Sequence, residues 1–86
     1  MAHLYAVVLG GDNTEFRLGE DHEVVFVVAE DPGEARINAK AKWSGANKTG
    51  VHVDSLARIE MVDGCQIQLI QVGEGDRIAI DRKYAR

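Results

Sequence analysis

The sequence is poor in the residues that stabilise small proteins covalently or anchor them in membranes. It contains one cysteine, Cys65, which excludes an intrachain disulfide and a metal site built from several thiolates. No apolar stretch is longer than residues 24–29, far short of the about 20 residues that span a bilayer, and the first residues lack a signal-peptide pattern. We therefore expect no membrane partner and a cytoplasmic location.

The composition that remains is that of an ordinary folded domain. Of the 86 residues, 45% are hydrophobic and 28% are charged. A domain of this size buries only about 60–65% of the surface that its unfolded chain exposes, so its core must be thin. We predict a single α+β domain over residues 1–76, followed by a short terminal strand and a basic tail over residues 77–86.

The charge balance argues against nucleic acid as a partner. The net charge is −4, whereas phosphate backbones are bound by clustered Lys and Arg. The candidate bases, which would have to share one face, are Lys40, Lys42, Lys48 and those of the C-terminal tail. The charge is also uneven: residues 1–35 hold eight acids and one base, and residues 36–86 hold six acids and nine bases. These segments are expected to attract each other, within one fold or between two chains.

One helix is predicted in the middle of the chain. Residues 31–34 (DPGE) form an N-terminal capping pattern. The residues that follow alternate between apolar and polar, which by itself indicates a strand. We nevertheless predict a helix, because alanine is the best helix former and Ala35, Ala39 and Trp43 recur at i, i+4 and i+8. Gly45 is expected to end it.

Three further segments have the pattern of strands. Residues 3–9 are rich in β-branched and aromatic side chains and stop at a Gly-Gly pair. Residues 24–29 are apolar on both faces, which predicts a central strand with the helix on one side and another layer, such as a second subunit, on the other. Residues 51–61 alternate as a half-buried strand does, with a break near Ser55. A short last strand at residues 77–81 is optional.

A turn at residues 62–64 predicts a hairpin. A three-residue loop pairs Met61 with Cys65 and keeps apolar side chains on one face, whereas a two-residue Asp-Gly turn pairs Met61 with Gln66 and mixes apolar with polar. The first register is therefore predicted, with Cys65 as a small buried hydrophobe. The expected fold is α+β in ββαββ order: a mostly antiparallel four- to five-stranded sheet with one helix packed on one face.

A single helix covers only one face of such a sheet. A thin core and an uncovered face together predict self-association, so we expect a homodimer formed through the sheet. The same face, or the loop at residues 10–22, is the expected surface for a protein or small-molecule partner.

Two histidine/carboxylate pairs are the candidate binding residues: His22 with Glu23, and His52 with Asp54. Residues two apart on a strand share a face, so His52 and Asp54 can orient one another, with the first pair arriving from a neighbouring strand. A histidine beside a carboxylate is commonly just a hydrogen-bonded pair, and no metal-ligand spacing accompanies these four residues. The sequence therefore predicts no metal and no cofactor, and it leaves catalytic residues unassigned.

Several segments together resemble a bacterial family known as domain of unknown function 1543. They are Leu9-Gly10-Gly11, His22-Glu23 before residues 26–29, Ala35, Ala39-Lys40, Trp43, His52-Val53-Asp54-Ser55, and Val62-Asp63-Gly64 before Ile67 and Leu69. The resemblance spans nearly all of residues 4–70. It implies a small bacterial protein with one or two copies of the domain, one of them in this chain, and it implies no activity. It also favours a shared polar site at the two histidine/carboxylate pairs, without assigning roles.

Two functions follow from these observations. The first is a non-catalytic module that self-associates and binds a partner through its sheet. The alternative is a small metal-assisted or hydrolytic enzyme that uses His22, Glu23, His52 and Asp54. The enzyme requires the two histidines to converge, whereas the module predicts that they stay apart.

Overall fold

The computed structural model describes residues 1–12, 19–45 and 49–82 of the chain. Their elements, in chain order, are β1 (His3–Gly11), β2 (Asp21–Ala29), α1 (Pro32–Ala41), β3 (His52–Ile59), β4 (Met61–Val62) and β5 (Cys65–Gln66). Among the described residues, no helix combines the length and the apolar character needed to cross a bilayer.

The three long strands form one antiparallel sheet in the order β2-β1-β3. In its centre, Ala6 of β1 lies between Phe26 of β2 and Ala57 of β3. The α+β class and the single helix agree with the prediction. The predicted four- to five-stranded sheet matches only loosely, because β4 and β5 form a separate two-stranded sheet and residues 77–81 pair with no strand in the described part of the chain.

The prediction that β2 is the central strand is wrong, since β2 lies at an edge of the sheet. Its sequence is apolar on both faces, and the structure explains this differently. Val27 and Ala29 are buried under the helix, whereas Val24 and Phe26 point to the other face and are exposed. A strand that is apolar on both faces therefore indicates that both faces of the sheet are apolar. It does not indicate that the strand lies in the middle of the sheet.

Helix α1 forms as predicted, in spite of the alternating pattern. The Asp31 carboxylate accepts a hydrogen bond from the Glu34 backbone N–H at 2.8 Å, which satisfies an amide at the helix start. Ala35 and Ala39 are fully buried, so the helix approaches the sheet closely. The helix ends earlier than expected, at Ala41 with Lys42 as its cap, and not at Gly45.

The core lies between α1 and one face of the sheet. The largest fully buried side chains are Trp43, Tyr5, Leu9 and Val7. Trp43 follows the helix and is only 2% exposed, as predicted for its anchor. Within the described residues, the buried hydrophobic side chains form this one-sided cluster.

The hairpin register differs from the prediction. Met61 pairs with Gln66 and Val62 with Cys65, around a two-residue turn in which Asp63 and Gly64 have φ values of 53° and 78°. Two consecutive left-handed residues are typical of the type I′ turn that Asp-Gly favours. The predicted burial of Cys65 is also wrong, because this side chain is exposed. Neither face of the hairpin is buried, so placing apolar side chains on one face brings no gain in stability. The conformational preference of the Asp-Gly turn therefore determines the register.

The chain after the hairpin is irregular. Residues 68–82, which we call the C-terminal arm, contain no helix or strand and are exposed throughout. The arm is attached near the end of α1, where the Lys42 ammonium contacts the Asp76 carboxylate at 2.9 Å. The basic tail at residues 83–86 lies outside the described residues.

Candidate functional site

The sheet face opposite the helix is apolar and accessible. On β2, Val24, Phe26 and Val28 alternate with the buried side chains and are 57%, 46% and 50% exposed. The pairing register puts side chains of the neighbouring strands beside them on the same face. We call this surface the open face; its apolar members are Leu4, Ala6, Val8, Val24, Phe26, Val28, Ala57 and Ile59.

Two histidines meet at one end of the open face. Gly10 near the end of β1 is paired with His22 on β2 and with His52 on β3, so the two imidazoles flank the same glycine. The register of β1 and β3 is irregular between Val8 and Leu9, which leaves Asp54 as an additional residue on β3. This irregularity corresponds to the break predicted one residue further along the strand.

A single carboxylate joins the two imidazoles. The Nε2 of His22 is 3.0 Å from Oδ2 of Asp54, and the Nε2 of His52 is 3.0 Å from Oδ1 of the same side chain. His52 also lies 3.4 Å from Oε2 of Glu20. We call Glu20, His22, His52 and Asp54 the histidine cluster. Its side chains are 35–54% exposed, so the cluster is open to solvent and to a ligand.

Gly10 provides the space for this arrangement. A Cβ atom at position 10 would lie 2.9 Å from Nε2 of His52, 3.0 Å from Oδ2 of Asp54 and 3.2 Å from Cδ2 of His22. No side chain therefore fits there without displacing the cluster. The sequence suggested that Gly10 and Gly11 free the backbone where β1 ends, but both residues belong to the strand. The histidine cluster requires glycine at position 10, because a side chain there would collide with His52, Asp54 and His22.

Glu23, the fourth predicted site residue, lies elsewhere. Its carboxylate accepts hydrogen bonds from the backbone N–H of Ser44 at 2.9 Å and from its hydroxyl at 2.6 Å. It thereby ties β2 to the segment that follows α1. Glu23 and His22 are neighbours on one strand, so their side chains point to opposite faces of the sheet. Glu20, which precedes β2, approaches His52 in its place.

A family model described as Domain of Unknown Function (DUF1543) matches residues 17–69, which are 53 of the 86 residues. The chain belongs to the DUF1543 family. The DUF1543 match contains the whole histidine cluster, while β1 with Gly10 precedes it. No curated protein and no solved structure matches the chain.

The chemistry available to this DUF1543 site is that of imidazole held by carboxylate. An imidazole that donates Nε2–H to Asp54 keeps its Nδ1 as an acceptor when neutral. The carboxylate of Asp54 thus orients both rings. Among the described residues, no group of three or more His, Cys, Asp or Glu side chains has an arrangement that could hold a metal ion.

Two grooves lie at the other end of the open face. One, of about 730 Å³, is lined by residues 1–4, Ile59, Glu60 and residues 66–69. The second, of about 700 Å³, lies between the C-terminal arm and the strands, where Leu4, Phe26 and Val28 contribute to its wall. Neither groove includes a member of the histidine cluster.

The basic side chains proposed for nucleic-acid binding are only partly described. Lys42 is engaged, since its Nζ contacts Asp76 and donates to the Phe26 carbonyl oxygen at 2.6 Å. Lys48 and the bases of residues 83–86 lie outside the described residues. The expectation that nucleic acid is not a partner stays a prediction.

Proposed function

We propose that this protein is a self-associating binding module in which two copies pack through their open faces. The observation that carries the proposal is the exposure of Val24, Phe26 and Val28 on a sheet whose other face packs against α1. Adjacent exposed apolar side chains of this kind mark interaction surfaces. The apolar part of the open face is uncharged, so two copies can meet there without repulsion between like charges.

The surface area of the chain supports the same conclusion. Its accessible surface is 7036 Å², whereas a compact monomer of 9.4 kDa has about 5,000 Å². The radius of gyration is 14.8 Å, compared with about 12 Å for a compact domain of this length. The chain thus exposes roughly 2,000 Å² more than a compact monomer of its mass. The arm and the open face both contribute exposed apolar side chains to this excess.

A charged substitution in the open face tests this proposal. Phe26→Glu would place a carboxylate in the proposed interface, and we expect it to convert a dimer into a monomer. The matched control is Ile37→Glu on the outer side of α1, where the side chain is already 71% exposed. Light scattering coupled to size exclusion measures the mass of each variant. Equal masses for Phe26→Glu and the wild type would contradict the proposed interface.

The second candidate function is acid/base catalysis of a hydrolytic reaction at the histidine cluster. The specific observation in its favour is that His22 and His52 converge on Asp54. The interaction module alone predicted that the histidines would stay apart, so this geometry argues for a role of the cluster beyond packing. Glu23 does not support the alternative as first stated, since its carboxylate binds Ser44.

Model substrates test the second candidate directly. Short-chain nitrophenyl esters are incubated with the wild type and with the His22→Gln and His52→Gln variants across the range of imidazole titration. General acid/base catalysis predicts a pH-dependent rate that falls by about 10²–10⁴-fold in either variant. Thermal unfolding of the same samples serves as the control for folding. A wild-type rate equal to that of buffer, with and without added zinc, would leave hydrolysis of these esters unsupported and favour the module.

A further inference from the structure

The C-terminal arm contains a strand pattern without a partner strand in the described part of the chain. Ile78 and Ile80 alternate with polar or small side chains over residues 77–81 and are 66% and 69% exposed. Alternation of this kind is typical of a strand that buries one face. The sequence predicted a strand here, and the isolated chain provides no sheet for it.

The sheet has an edge that could accept such a strand. β2 pairs with β1 on one side and, within the described residues, with no strand on the other. Lys42 donates to the Phe26 carbonyl oxygen and so occupies the later part of β2. The earlier part, residues 22–25, is close in length to residues 77–81. An exposed strand edge offers backbone N–H and C=O groups to a second chain.

The charges of the two segments are complementary. Residues 20–30 contain four carboxylates and neither Lys nor Arg, which gives −4 with neutral histidine. Residues 77–82 contain two bases and one acid, which gives +1, and Lys83 and Arg86 follow them in the sequence. Opposite charges steer association and oppose pairing of β2 with another acidic edge.

We propose that residues 77–82 of one copy add as a strand to the edge of β2 in a second copy, and that the exchange is reciprocal. The inference rests on the self-association proposed above and specifies how the arm takes part in it. A two-fold dimer satisfies both edges at once and closes the assembly. Residues 77–82 of one copy, with Arg77 and Arg82, then lie beside His22, so the partner contributes to the surroundings of the histidine cluster.

Paired substitutions in the arm test this exchange. The variant Ile78→Asp with Ile80→Asp removes both apolar side chains of the strand pattern. Its matched control is Met61→Asp with Val62→Asp, two exposed apolar residues of β4 that line neither groove. The dimer dissociation constant and the hydrogen exchange of the β2 amides that do not bond to β1 are measured for the full chain. Circular dichroism establishes that each variant is folded.

The exchange predicts that the Ile78/Ile80 variant dimerises about tenfold more weakly or worse. It also predicts that the outer β2 amides are protected in the wild-type dimer and exchange quickly in this variant, while the control matches the wild type. A wild-type dimer with unprotected β2 amides, or equal effects of the two variants, would overturn the arm exchange and leave packing of the open faces intact. A wild-type monomer would remove the proposed function itself.

Discussion

The two faces of the sheet are built from similar residues and differ in what covers them. On the helix side, Tyr5, Val7 and Leu9 are fully buried. On the open face, Val24 and Phe26 are equally apolar and about half exposed. An apolar strand face thus indicates that another layer packs against it. It does not indicate whether that layer comes from the same chain or from a second chain.

The anchor of the covered face should be the most sensitive position. Trp43→Ala removes the largest fully buried side chain, and we expect the free energy of unfolding to fall by about 3–5 kcal/mol. Urea denaturation monitored by circular dichroism measures the loss. The control is Phe26→Ala, compared at a protein concentration where both variants are monomeric, because an exposed phenyl ring contributes little to the fold of one chain. Similar losses for both variants would mean that the two faces are equally packed.

The polar end of the open face should be the next most sensitive. Gly10→Ala brings a methyl group to within 2.9–3.2 Å of His52, Asp54 and His22, so we expect a loss of about 1–3 kcal/mol in unfolding free energy. Displacement of the imidazoles should also change their NMR signals. Gly73→Ala is the control, because a Cβ there meets nothing within 4 Å. An unchanged histidine spectrum in Gly10→Ala would contradict the close approach.

The start of the covering helix should show a smaller effect. Asp31→Ala removes the hydrogen bond to the Glu34 amide, and the free energy of unfolding is expected to fall by about 1 kcal/mol. Asp31→Asn retains an acceptor and should restore most of the loss. Thermal denaturation of the two variants makes the comparison. If asparagine were no better than alanine, the stabilising contact would not be this cap.

The smallest effect is expected at the hairpin, which belongs to neither face. Cys65→Ser should change stability by less than about 0.5 kcal/mol, because the thiol is exposed. The same exposure predicts rapid reaction of the native thiol with a disulfide reagent. A thiol that reacts only after unfolding would favour the three-residue loop and its buried Cys65.

The helix could be predicted from residues close together in the sequence. The order of the strands in the sheet could not. Alanine content and the Asp31 cap outweighed a period-two pattern, since both act within a few residues. The edge position of β2 depends on which strands pair, and two apolar faces do not report it. The hairpin followed its Asp-Gly turn because no buried face competed with turn geometry.

The sequence named His22, His52 and Asp54 as candidates and left their convergence open. They meet because β1, which lies between β2 and β3, has no side chain at Gly10. Strand parity alone separates Glu23 from His22, so that part of the prediction could have been corrected from the sequence. The approach of Glu20 depends on how the chain enters β2, and no local pattern indicates it. Binding of a ligand by these residues stays a prediction.

Sedimentation equilibrium of the wild-type protein at micromolar concentration tests whether a second copy of the chain covers the open face. The proposed dimer has a mass of 18.8 kDa, twice the 9.4 kDa of one chain. A single species of 9.4 kDa throughout that range would contradict it.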